Sequence, residues 1–243
     1  VEPHIPTALD RQLTLDAQRW LTDAVARVGQ DPAAVRTVFP AVGRHCGRGP
    51  LAAGWTVADA ARARLVAALP LRGVALAEEV TDLHRYGDAA EQRAVLRSLA
   101  LLDEADASFA DLGLPLVRAA LRGNDTDLIE AALGPYAARR LDHDGYRHAV
   151  LKCVFCGIPL DRIAGLDERA DRELARMLAD FAHERVAAGR DVPADIWPVV
   201  RAHPGTLEAS GLPEETDSPV PERRDAAVRA LAAFTATAPA GAA

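Results

Sequence analysis

Lysine is almost missing from this chain. Of 28 basic residues only Lys152 is a lysine, and the rest are arginine. With a formal net charge of −7 and no lysine-rich tract, the composition argues against a nucleic-acid binder, which needs basic surface to neutralise phosphates. Aromatics make up only 5% of the residues, and runs of Val, Ile, Thr, Tyr and Phe are few, so strand formers are scarce. No run of about 18 apolar residues is present, so no membrane span is expected. The first residues, VEPHIPTALDRQLTLDAQRW, lack the apolar core of a signal peptide. Three cysteines, an odd number, do not make a disulfide framework in a chain of 243 residues, and a reducing cytoplasm is the simplest compartment. The P-loop, the dinucleotide fingerprint, H-E-x-x-H and the nucleophile elbow are all missing, and no cofactor is expected.

What is present is alanine and leucine, which dominate a hydrophobic fraction of 49%. Both are strong helix formers. Apolar spacing is helical almost throughout. Leu13, Ala17, Trp20, Leu21 and Ala24 share one face. Pro32 to Pro40 reads as a short helix. Thr56 caps a helix towards Leu69 with Asp59 as its capping partner. Val74 to Tyr86 follows, then a helix capped by Asp88 with Val95, Leu96, Leu99 and Leu102 as its buried stripe. Phe109 to Leu121, Asp127 to Leu133, Gly145 to Cys156, a Pro159 to Ile163 turn, Asp167 to Ala188 and Pro193 to Val200 complete the series. The expected fold class is all-α, built of stacked antiparallel helix pairs, either HEAT/armadillo-like or an irregular helical bundle. The expected organisation is a single helical domain over residues 1–202, then a proline- and alanine-rich arm over 203–243. Arg224 to Phe234 is a helix candidate within the arm, and the final TATAPAGAA is expected to be disordered.

Several groups of residues are candidates for chemistry. Lys152 lies in an apolar run with Ala149, Val150, Leu151, Val154 and Phe155. A lysine kept where arginine serves everywhere else points to a titratable base or Schiff-base former, which arginine cannot be. The alternative is a structural lysine that snorkels or pairs with an acid. Phe155, apolar and three residues on, is expected to face the core and draw the lysine stem inward. His148 lies one turn before. Asp180, Glu184 and Glu130 are the acids expected as partners for Lys152. Asp180 and Glu184 share a helix face at i and i+4, with His183 between them. Either they hold a cation or pair with Lys152 or Arg185, or they solvate the outer face. Asn124, Asp125, Asp127 and Glu130 cluster at a helix start, where they either hold Mg²⁺ or cap the helix. Cys153 and Cys156 form a C-x-x-C with no preceding strand and no second ligand pair. They read as core residues, with no metal bound.

Taken together, these residues resemble the EboA family of bacterial helical proteins over roughly residues 35 to 200. The carriers are Phe39-Pro40-Ala41-Val42-Gly43-Arg44 with Gly47-Arg48, then Gly87-Asp88 leading to Ala94-Val95-Leu96-Arg97. Asn124, Glu130 and Pro135-Tyr136 follow. The best match is Val150-Leu151-Lys152 with Phe155, then Pro159-Leu160, Gly165-Leu166, Arg169-Ala170, Leu174-Ala175-Arg176-Met177-Leu178, Asp180, Glu184-Arg185 and Trp197. Gly134, Arg140-Leu141, Cys46, Cys153 and Cys156 depart from the family pattern. The changes near Gly134 and Arg140 put any inherited pocket there in question.

The resemblance implies a setting rather than a reaction: gene clusters with a prenyltransferase of the UbiA type, a sugar-phosphate isomerase-like protein, a dehydroquinate-synthase-like cyclase and a metal-dependent hydrolase. It implies an accessory or small-molecule-binding protein of a specialised-metabolite pathway. Such a protein would hold an apolar or prenylated intermediate or dock pathway enzymes. The alternative is an enzyme of that pathway with Lys152, Asp180 and Glu184 as its catalytic residues, working by acid–base or Schiff-base chemistry. The ligand-contact candidates are Asn124, Glu130, Tyr136, His148, Phe155, Arg169 and His183.

Overall fold

Thr56 and Asp88 act as the sequence requires. Each side chain accepts the backbone N–H three residues on, and Asp59 and Glu91 return a bond to the cap backbone, so both helices start with a full capping box. The computed structural model describes residues 5–52 and 54–236, with Pro6 described by its backbone alone. These residues form 15 α-helices joined by short 3₁₀ turns. The one β feature among them is an isolated bridge between Pro50 and Thr56. The protein is all-α.

Two units divide the chain, residues 1–142 and 143–243. The first holds α1 (Ile5–Gln12), α2 (Leu15–Gln30), α3 (Val35–His45), α4 (Val57–Ala67), α5 (Gly73–Tyr86), α6 (Ala89–Ala105), α7 (Leu114–Arg122), α8 (Thr126–Ala132) and α9 (Pro135–Arg140). Its centre is α4, packed on α6. Nine of the 11 residues of α4 are buried, most of them alanine, valine or leucine. A helix buried all round needs small side chains for close approach, and any charge on it must be paired. Asp59, with no exposure at all, is held by Arg93 through both carboxylate oxygens. Arg62 donates to the Phe39 carbonyl at 3.1 Å and to Glu91 at 3.3 Å.

The second unit holds α10 (His143–Cys156), α11 (Leu166–Arg169), α12 (Arg172–Ala187), α13 (Trp197–Arg201), α14 (Thr206–Ala209) and α15 (Pro221–Ala236). Its organiser is α12, whose stripe of Leu174, Ala175, Leu178, Phe181, Ala182 and Val186 is buried against α10, α13, α14 and α15. Trp197 is fully buried and meets Phe234 edge-on at 5.6 Å.

Four expectations change. The helix expected over 167–188 is two helices, because the Asp171 side chain accepts from Leu174 N–H and restarts the helix there. The helix expected from Phe109 is a 3₁₀ turn followed by α7. Gly113 lies between them, where a Cβ would come within 3.0 Å of the Tyr136 ring. Pro40 does not end α3, which runs on to His45. The one lost backbone bond is outweighed by the buried Val35, Val38, Phe39 and Val42. The stretch from His203, expected as a loose arm with one helix, forms α14, a 3₁₀ turn and a 16-residue α15. Leu207, Leu212, Ala226, Ala227 and Ala230 bury apolar surface there that the polar, proline-rich sequence conceals. Of the expected disordered tail, residues 237–243 lie outside the described residues.

Candidate functional site

Between α10 and α12 the chain runs through a loop that is apolar without being periodic: Ile158, Leu160, Ile163 and Leu166. Gly165 turns it at φ +77°, a left-handed conformation that favours glycine. Four bonds fix its shape. The Tyr146 hydroxyl donates to the Ala164 carbonyl at 2.8 Å. The Arg169 guanidinium lies 4.3 Å from the centre of the Tyr146 ring. The Leu160 N–H donates to the Asp195 carboxylate at 2.9 Å. Arg147 clamps Asp171, the cap of α12. Burial pushes the Tyr146 phenol up to about 12, so it stays a donor at any physiological pH.

This loop and the start of α13 border an open cleft of about 640 Å³. That is within the usual size of a small-molecule site. Its apolar wall is Leu160, Ile163, Leu166, Pro198 and Val199, and its carboxylates are Asp161, Asp167, Glu168 and Asp195. No arginine, lysine or histidine lines it. Among the described residues, no group of three or more His, Cys, Asp or Glu is arranged to hold a metal ion.

The residues singled out from the sequence do not assemble into one place. Asn124, Glu130 and Tyr136 belong to the first unit. His148, Lys152, Phe155, Arg169, Asp180, His183 and Glu184 belong to the second. Asn124 is exposed just before the Asp125 cap of α8, where Asp125 takes two backbone N–H groups. Glu130 lies 3.5 Å from Arg97. Tyr136 is buried, its hydroxyl donating to the Ala110 carbonyl and accepting from Gly113 N–H.

On α10, His148, Lys152 and Phe155 do share a side. His148 is bonded to the Asp144 carbonyl, and Lys152 is half-buried. Phe155 does not face the core: it is 79% exposed and touches Phe181 only edge-on, at 6.4 Å between ring centres. The buried face of α10 is set by Tyr146, Ala149, Val150, Cys153 and Val154, which turns Phe155 outward. On α12, Asp180 pairs with Arg176 one turn back and Glu184 is exposed, while His183 meets Glu215 at 3.2 Å. Cys153 is buried and Cys156 half-buried, and neither forms a disulfide among the described residues.

Sequence reasoning missed the cleft. Its signal was the run of Gly157, Pro159 and Gly165 punctuating four large apolar residues that fit neither helical nor strand spacing. Leu160, Gly165, Leu166 and Ala170, which line the cleft, were visible only as part of the family resemblance.

The all-α second unit thus carries a cleft of about 640 Å³ between its loop and the start of α13. Residues 47–201 match the family model described as metabolite traffic protein EboA. That span is more than half of the chain, and the chain belongs to the EboA family. Comparison with curated proteins and with solved structures gives no match.

Proposed function

We propose that this chain carries a small metabolite, with the ligand's apolar body seated in the cleft of the second unit. The observation that supports this most is the cleft itself. It is of ligand size, its loop is tied by hydrogen bonds at Leu160 and Ala164, and 11 of its 12 lining residues fall inside the family-matched span, with Ala202 one residue beyond. Behind the buried Leu160, Ile163 and Val199, the lining residues Leu166, Ala170 and Pro198 keep apolar surface open to the cleft, and a ligand seated there buries it. The apolar body of an intermediate in a specialised-metabolite pathway, a prenyl chain included, suits that wall. Lys152, on which an enzymatic reading rests, does not line the cleft.

Ala170 lines the cleft and is small, so Ala170→Trp fills it from one side. An uncharged apolar fluorophore such as Nile red is expected to bind the native chain with saturation and to lose most of that binding in the variant. Unchanged binding in a folded Ala170→Trp protein would place the ligand elsewhere.

A further inference from the structure

The cleft has an apolar wall and one sign of charge. Its four charged lining residues are all carboxylates. Asp195 spends one oxygen on Leu160 N–H. Asp161, Asp167 and Glu168 are exposed, and among the described residues their side chains make no hydrogen bond or ion pair. The neighbouring Arg162 and Arg169 are not part of the lining, and Arg169 lies over the Tyr146 ring.

We infer that the cleft selects its ligand by head group. It takes apolar molecules whose polar end donates hydrogen bonds, a hydroxyl or a protonated amine, and rejects those ending in phosphate or diphosphate. This deepens the binding function proposed above and rests on it. An ionised carboxylate only accepts hydrogen bonds, so the rim has partners for O–H and N–H groups. A phosphate brings acceptor oxygens and further negative charge against the same carboxylates, a repulsion felt most at low salt. A site built for phosphate shows the reverse, arginine or lysine at its mouth or the N-terminus of a full-length helix aimed into it. Here arginine and lysine are missing from the lining, and the two helices that start at the cleft, α11 and α13, have only four and five residues.

Octanol, octylamine and octyl phosphate share one apolar body and differ in the head group. Calorimetric titration of the full chain with each, at neutral pH and low salt, tests the inference. Octanol and octylamine are expected to bind, with octyl phosphate at least about tenfold weaker. The double change Asp167→Asn, Glu168→Gln is expected to narrow that gap, and so is raised salt. Octyl phosphate binding as tightly as octanol to the native chain would overturn the head-group inference and leave the cleft reading standing. Binding of all three that Ala170→Trp does not disturb, or no binding by any of them, would overturn the cleft reading and the inference with it. A phosphate penalty that persists unchanged when Asp161→Asn is added to the double variant would assign the selectivity to charges other than the exposed carboxylates of the cleft and would also overturn the inference.

Discussion

The Asp195 carboxylate accepts the Leu160 backbone N–H at 2.9 Å, across 35 residues of chain. The bond joins the loop wall of the cleft to the turn that begins α13. Asp195→Ala leaves the Leu160 N–H without its partner. A loss of about 1 kcal/mol is expected from one such bond, read as a lower urea midpoint at unchanged slope. Binding of an apolar probe should weaken in the same variant, because the wall is no longer tied.

Acid should loosen the second unit at a defined place. The Arg147 guanidinium, bonded to Asp171, holds that carboxyl at about 2, below its usual value near 3.8. A depressed carboxyl contributes stability above the unfolded value and loses it as the pH falls towards 2. Arg147→Gln should move the Asp171 titration upward and flatten the acid limb of stability between pH 4 and pH 2. Carboxyl chemical shifts followed through that range check the first effect, and urea midpoints check the second.

Asp59 is wholly buried and depends on Arg93. Arg93→Met leaves the buried Asp59 carboxylate only the more distant Arg97, at 3.9 Å, and should cost about 3 kcal/mol. Adding Asp59→Leu removes that charge, at the expense of a capping bond, and should recover part of that loss. A double-mutant cycle by chemical denaturation shows whether the two changes couple.

Tyr136 is pinned by two backbone groups, Ala110 C=O and Gly113 N–H. Tyr136→Phe should lower stability by about 1–2 kcal/mol, the range for losing buried hydrogen bonds. Probe binding should not change, since Tyr136 belongs to the first unit and the cleft to the second.

Lys152→Met separates carrier from enzyme. With Lys152 outside the cleft lining, the variant should fold and bind the apolar probe as the native chain does. Loss of binding or of any turnover at an unchanged melting temperature would restore Lys152 as a functional residue.

Helix positions and caps were readable from local rules. Thr56 with Asp59, Asp88 before its apolar stripe, and the Leu174–Leu178–Phe181 face all depend on residues within two turns of one another. The break at Asp171 was not readable, although Asp is a good cap. Local periodicity runs straight through it, and the clamp comes from Arg147, 24 residues away. Phe155 misled for a related reason. Its hydrophobicity says core, but the neighbours on α10 decide which face is buried, and they outnumber it.

The sequence by itself determined the class: no strands to speak of, helices of small apolar residues, no nucleotide-cofactor motif, and membership of the EboA family. Tertiary structure alone decided the site. Leu160 and Ile163 become a wall only when the loop folds against Val199. Four scattered carboxylates become one acidic rim only when residues 161, 167, 168 and 195 converge. Periodicity reports which face of an element is buried. It does not report which loops meet, because loop convergence is set by packing between elements distant in the chain.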